Sequence, residues 1–254
     1  MATYKKRGYK PKTKAEKIDH LEDDSTTAEV FNTLDESASK TEAWVEKNQK
    51  VILILVGIIA IGVLGYLAYQ QFIQKPKEVE AVNEMYQAQN YFEQALNAPA
   101  KDSLFNLALN GGEGKYGFLD IIEKYSGTNA SNIAHYYAGV AYLHTKNYQE
   151  AISHLDNFKS DDMVVGPVAL GDIGDAFVQL DQNEDALKYY EKAATIKNNE
   201  FTSPRFLLKA GIIALKLNQP NVALKHFKNI TENYPNASEA QKAILYQGKA
   251  EAMQ

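Results

Sequence analysis

The chain has 254 residues, of which 45% are hydrophobic and 23% are charged, and its formal net charge is -5. Because it contains no cysteine, disulfide frameworks, thiolate metal sites and cysteine nucleophiles are excluded. Charge divides the chain into three unlike parts. Residues 1–50 are neutral overall, residues 51–74 hold no charged side chain, and the whole net charge lies after residue 74.

Residues 1–50 form a polar tail with a basic tip. The run YKKRGYKPKTK at its start interleaves tyrosines with cations and predicts contact with anionic lipid or the ribosome, the alternative being a solvated tail without a partner. Later in the tail, apolar residues recur about one helical turn or a multiple apart and predict a short amphipathic helix. They are Val30, Phe31, Leu34, Ala38 and Val45.

Residues 51–73 form an uncharged apolar run that predicts a transmembrane helix. At ~1.5 Å per residue, roughly 23 residues span a bilayer core of about 30 Å, whereas buried core helices are usually shorter and keep a polar face. The run starts too far along the chain, and is too long, for a cleaved signal peptide. We therefore expect a permanent anchor, with the basic tip favouring a cytoplasmic N-terminus.

One face of this helix carries small residues that would let a second membrane helix approach closely. Glycine is also frequent in membrane helices that have no such role, so both interpretations stand. The small residues are Gly57, Ala60, Gly65 and Ala68.

Residues 131–235 contain three units with a period of 35 to 37 residues. The period is close to the 34 residues of the tetratricopeptide repeat, in which each unit is a pair of helices joined by a turn. Alignment places Gly139, Gly174 and Gly211 at one position, where a small residue lets the two helices of a unit cross closely. Turn-forming residues, such as Lys146 and Asn147 in the first unit, separate the two helices.

The predicted fold class is all-α, with a single N-terminal transmembrane helix followed by a tetratricopeptide-repeat-like helical solenoid. Before the repeats, residues 74–130 are expected to form a helical extension, a linker to about residue 116 and a degenerate repeat. The glycine-rich stretch 111–117 is interpreted as part of that linker, because no strand precedes it as a phosphate-binding loop requires. After the repeats, residues 236–254 are expected to form a capping helix.

The first helix of each unit lines the concave groove of such a solenoid, and its side chains here are mostly apolar. This predicts an amphipathic helix or an unfolded segment as ligand. The alternative is that these side chains are covered by residues 78–97 or by the curvature of a short solenoid. The predicted groove residues are Ile133, Tyr136, Val140, Leu143, Val168, Val178, Leu208, Ile212 and Leu215.

The sequence does not support catalysis, a metal site or a cofactor. Its five histidines show no metal-binding spacing. Two acid pairs, Asp161 with Asp162 and Asp172 with Asp175, are explained more simply by an interhelix loop and a solvated helix face.

Three segments carry a resemblance to a known family: YKKRGYKPKTKAEK at the start, STTAEVFNTLDE before the anchor, and KYSGTNASNIAHYYAGVAYLHTKNYQEAISHLDNF in the first repeat. With the order of tail, helix and repeats, they make the chain similar to the YfgM-type ancillary subunit of the SecYEG translocon, in its Bacteroidetes form. The resemblance implies a non-enzymatic inner-membrane protein with periplasmic repeats that handles emerging secreted polypeptides. It also implies SecYEG and a PpiD-like periplasmic chaperone as partners. Two alternatives are an organellar import receptor with cytosolic repeats and a scaffold for another envelope complex.

Overall fold

The computed structural model describes residues 26–98 and 101–254, with side chains at residue 39 and from residue 41 onward. The basic tip and the side chains of Val30, Phe31, Leu34 and Ala38 lie outside the described residues. Within the described ranges every regular element is helical, and the single isolated β-bridge joins Gly112 to Lys115. The chain divides into two units at Tyr69.

Helix α1 (Thr26–Tyr69) forms the described part of the first unit and contains most of the predicted membrane run. Its apolar side chains are exposed, with Ile59 at 65% and Leu64 at 66%. Among the described helices, one is long and apolar enough to cross a membrane, and it includes this segment. The last residues of the predicted span fall in a π-helical stretch, Gln70–Gln74.

Three helices precede the repeats in the second unit: α2 (Lys75–Asn97), α3 (Lys101–Asn110) and α4 (Phe118–Lys124). The expectation of a plain linker up to about residue 116 is wrong, because α3 occupies most of it. Apolar residues recur there at helical spacing, and Phe105 is fully buried against the rings of Phe92 and His144. The glycine-rich stretch after α3 is an interhelical linker, as predicted.

The repeats are three antiparallel helix pairs followed by a last helix, and each helix packs on the next along the chain. The pairs are α5 (Asn129–His144) with α6 (Tyr148–Asn157), α7 (Val165–Gln179) with α8 (Asn183–Thr195), and α9 (Thr202–Lys216) with α10 (Pro220–Asn233). The last helix is α11 (Ala240–Glu251). It buries three alanines and leaves Ile244 and Leu245 exposed by 63% and 74%.

The aligned glycines lie at the helix crossings, as the repeat pattern predicts. A Cβ at Gly174 would overlap the ring of Tyr190, and one at Gly211 would overlap the ring of Phe227. At Gly139 the neighbour is the side chain of Leu155. Each glycine therefore makes room for a buried side chain from the second helix of its own unit.

The turns inside the units also repeat. Lys146, Asp181 and Asn218 adopt φ values of 63°, 59° and 57°, and they are 35 and 37 residues apart. Positive φ is uncommon for residues other than glycine, so its recurrence at one position shows that all three turns share a backbone conformation. The structure thus repeats with the period found in the sequence.

Candidate functional site: the groove along the first helices of the repeats

The nine predicted groove residues lie on α5, α7 and α9, but they are not equally accessible. Ile133 is 41% exposed, whereas Leu208 and Leu215 are 8% and 7% exposed and belong to the core between α8 and α11. The apolar surface open to a ligand is therefore concentrated on the first two units. The other six residues are half-buried: Tyr136, Val140, Leu143, Val168, Val178 and Ile212.

Helix α2 covers only part of this face. It packs on α3, α4 and α5, and in the described part of the chain it packs on no helix of the second or third unit. Tyr137 marks the covered side of α5, since its ring lies 5.0 Å from that of Phe92 and 5.1 Å from that of Phe118, centroid to centroid. The groove residues on α7 and α9 are therefore not covered by residues 78–97.

A cavity of about 520 Å³ lies in the groove where α5 meets α7. Its walls include Val140 and Leu143 on α5 and Val178 on α7, so it brings together three predicted groove residues. On the α7 side the lining also includes two acids, Asp172 and Asp175, and the amide of Gln179. The arrangement joins apolar surface to carboxylates, as expected of a site that fixes a ligand by a few polar groups.

Asp175 has partners within the protein. Lys209 Nζ of α9 lies 2.6 Å and 2.7 Å from its two carboxylate oxygens, and the Tyr190 hydroxyl donates a hydrogen bond to it at 2.5 Å. Burial, followed by the negative charge and the hydrogen bond of Asp175, raises the pKa of Tyr190, which therefore stays protonated as the donor. The negative charge of Asp175 on the cavity wall is therefore neutralised by Lys209.

Asp172 is in a different situation. It is half-buried, and burial together with the negative charge of Asp175 raises its pKa to about 7, although Lys209 and Arg205 oppose the shift. Its charge in turn helps burial raise the pKa of Tyr136 to about 12. The interpretation of Asp172 and Asp175 as a solvated helix face is therefore wrong, since the next repeat packs against this face of α7. Asp161 and Asp162 do lie in an exposed interhelix loop.

The repeat alignment explains why the two acids differ. Relative to the crossing glycines, Lys209 of the third unit corresponds to Asp172 of the second, and Asp175 of the second corresponds to Val140 of the first. Where the second and third units meet, a lysine therefore faces an aspartate. Where the first and second units meet, the equivalent positions hold Asp172 and Val140, and both line the cavity.

Comparison with known proteins identifies the repeats. Models of the tetratricopeptide repeat match residues 121–159, 168–200 and 206–237. The chain therefore carries three tetratricopeptide-repeat units between residues 121 and 237. Each matched segment contains one crossing glycine, and the first begins ten residues before the predicted start at residue 131. No curated protein matches the chain at a significant level.

Tetratricopeptide-repeat proteins bind other proteins and are typically non-catalytic scaffolds. Among the described residues, no group of three or more His, Asp or Glu side chains is placed to hold a metal ion. Two histidines of the first repeat contact each other, with the Nδ1 atoms of His135 and His154 3.1 Å apart. Burial lowers the pKa of both rings, which favours the neutral pair.

No other described helix packs on the small-residue face of α1. Gly57 is half-buried, while Ala60, Gly65 and Ala68 are exposed. A Cβ built at Gly57 or Gly65 would meet no atom within 4 Å. The face is open to another membrane helix, and its role in helix packing stays a prediction.

Proposed function

We propose that this tetratricopeptide-repeat protein is a non-enzymatic ancillary subunit of the SecYEG translocon. In this proposal α1 anchors it in the bacterial inner membrane, the N-terminal tail is cytoplasmic and the repeats are periplasmic. The groove would bind a PpiD-like chaperone, emerging secreted polypeptides, or both. The alternatives are a scaffold for another envelope complex and an import receptor with cytosolic repeats.

The observation that carries the proposal is the cavity between α5 and α7. Val140, Leu143 and Val178 line this cavity and can contact a ligand. Helix α2 does not pack on α7, so it leaves the α7 side of the cavity uncovered. Half-buried apolar side chains in a groove suit an amphipathic helix or an extended apolar segment of polypeptide. The exposed apolar surface of α1 supports the membrane anchor that would place such a groove beside a translocon.

The partner is tested by purifying the tagged full chain from membranes in mild detergent and identifying what accompanies it. We expect SecYEG subunits and a PpiD-like chaperone with the wild type. A Val178→Glu variant, which places a charge in the cavity, should lose the groove-bound partner. Ile244→Glu, on the exposed face of α11, should retain it. Recovery of a different envelope complex, without translocon subunits or chaperone, would overturn the translocon role.

The orientation is tested separately by adding protease to intact spheroplasts. Residues beyond 75 should be digested while the N-terminal tail is protected. Protection of the repeats with digestion of the tail would contradict the periplasmic placement and favour a cytosolic repeat domain.

A further inference from the structure

We infer that the cavity between α5 and α7 is a subsite for a lysine or arginine side chain of a bound polypeptide, held by Asp172 between apolar walls. The inference rests on the proposed function, because it names the ligand chemistry of the same groove. It predicts that ligands carry a cation flanked by apolar residues.

The first argument is the register of the repeats. At the equivalent place between α7 and α9, the carboxylate of Asp175 contacts a lysine of the neighbouring unit. Between α5 and α7 the carboxylate belongs to Asp172, and the facing position holds Val140. The fold therefore places a lysine beside Asp175 but a valine at the position facing Asp172.

The second argument is the set of charged and titratable groups around Asp172. Lys209 is bound to both oxygens of Asp175, and Arg205 is exposed, with its guanidinium 5.6 Å from the Phe206 ring. Tyr136 on α5 and Tyr190 on α8 have raised pKa values and carry no charge near neutral pH. On the described chain, no salt bridge is formed by Asp172.

Besides Asp172 and Asp175, three titratable side chains line the cavity: His144, Lys146 and Tyr148. His144 lines it, and burial, followed by the nearby Lys101, lowers the pKa of His144, so this ring is neutral near pH 7. Lys146 also lines it but is exposed in the turn after α5. A ligand cation is therefore the group that would compensate Asp172 in the half-buried position, and apolar neighbours in the ligand would cover Val140, Leu143 and Val178.

The experiment uses the full chain in detergent and fluorescent amphipathic peptides that differ only at one central residue: arginine, its uncharged isostere citrulline, or glutamate. At pH 8 we expect the arginine peptide to bind the wild type about tenfold more tightly than the citrulline peptide, since charge pairs at interfaces contribute about 1.5 kcal/mol or more. Asp172→Asn should abolish this preference. The matched control Asp161→Asn, in the exposed loop before α7, should keep it.

Two further arms make the assignment specific. Val140→Lys supplies an internal partner and should also abolish the arginine preference. In the wild type, the preference should shrink between pH 8 and pH 6, as Asp172 takes up a proton with a pKa of about 7. In Asp172→Asn, no such change is expected.

The outcomes separate the two proposals. If the wild type binds all three peptides equally, or if Asp172→Asn keeps the arginine preference, the cation subsite is wrong while the groove still binds polypeptide. If the wild type binds none of the peptides, the polypeptide-binding groove of the proposed function fails as well.

Discussion

The two places where successive repeats meet are built from corresponding helices, but they differ in whether the aspartate of α7 has a cation as partner. We call the contact of α5 with α7 the first junction and that of α7 with α9 the second junction. At the second junction the fully buried ring of Phe206 lies against Gly171, and Lys209 pairs with Asp175. At the first junction there is a cavity with an unpaired carboxylate.

The alignment shows that large and small residues have exchanged sides between the two junctions. Phe206 corresponds to Ala169, and Gly171 corresponds to Tyr136. Each junction therefore combines one aromatic ring with one small residue. Only the second junction also pairs its half-buried carboxylate, Asp175, with a cation, Lys209. In a solenoid, where each repeat contacts only its neighbours, one junction can stabilise the array while another binds a ligand.

The largest expected effect comes from opening the second junction with Phe206→Ala. Removing a fully buried phenylalanine ring should lower the free energy of unfolding by about 3–5 kcal/mol. Thermal and denaturant unfolding followed by circular dichroism would measure it. Phe201→Ala is the matched control, because that ring is 64% exposed and should contribute little. If both variants lowered the free energy of unfolding equally, Phe206 would not be the side chain that fills the second junction.

Asp172→Asn should raise the free energy of unfolding at high pH, whereas Phe206→Ala lowers it. The folded protein binds a proton at Asp172 up to about pH 7, whereas the unfolded chain releases it near 3.9, so this group's contribution to stability is complete below about pH 4 and is lost as pH rises through 7. A full shift would correspond to about 4 kcal/mol, and solvent screening of a half-buried group reduces this to about 1–2 kcal/mol.

The variant should therefore be more stable than the wild type at pH 8 by about 1–2 kcal/mol and equally stable near pH 4. Denaturant unfolding at several pH values would measure the difference. Asp161→Asn, at an exposed acid, should change stability equally little at both pH values. If the stability difference between Asp172→Asn and the wild type did not depend on pH, the pKa of Asp172 would not be raised in the folded protein.

The ion pair of the second junction should have a smaller effect. Lys209→Met keeps the aliphatic stem of the side chain and removes the charge, and it should cost about 0.5–1 kcal/mol, because 29% of the Lys209 side chain and 39% of that of Asp175 remain exposed. Lys188→Met breaks a more exposed pair with Asp185, whose side chains are 72% and 47% exposed, and should have no measurable effect. High salt should reduce the difference between Lys209→Met and the wild type.

Much of the fold follows from the amino-acid pattern, because a glycine at a helix crossing and a large apolar or aromatic side chain on the next helix recur with a period of 35 to 37 residues. The same pattern missed α3, where the apolar residues of a short segment have no repeat to align with. It also misjudged Asp172, since helical spacing places a residue on a face but does not say whether the next repeat covers that face.

A signal for Asp172 was nevertheless present. Extending the alignment beyond the glycines to the facing positions pairs Lys209 with Asp175 and Asp172 with Val140, which marks a carboxylate without a partner. The burial of Leu208 and Leu215 was harder to anticipate, because the core cluster to which they belong includes residues of α8, α10 and α11, outside the first helices from which the groove was inferred.

The smallest net effect is expected from making the first junction resemble the second by Val140→Lys. The lysine loses some packing of a half-buried valine but gains a pair with Asp172, so stability at pH 8 should change by less than about 1 kcal/mol. The pH dependence should change more than the stability itself. With a cation beside it, Asp172 should ionise at a lower pH, and the loss of stability between about pH 4 and pH 7 should diminish. A double-mutant cycle with Asp172→Asn isolates the pair, and a coupling energy of zero would show that the two positions do not face each other across the cavity.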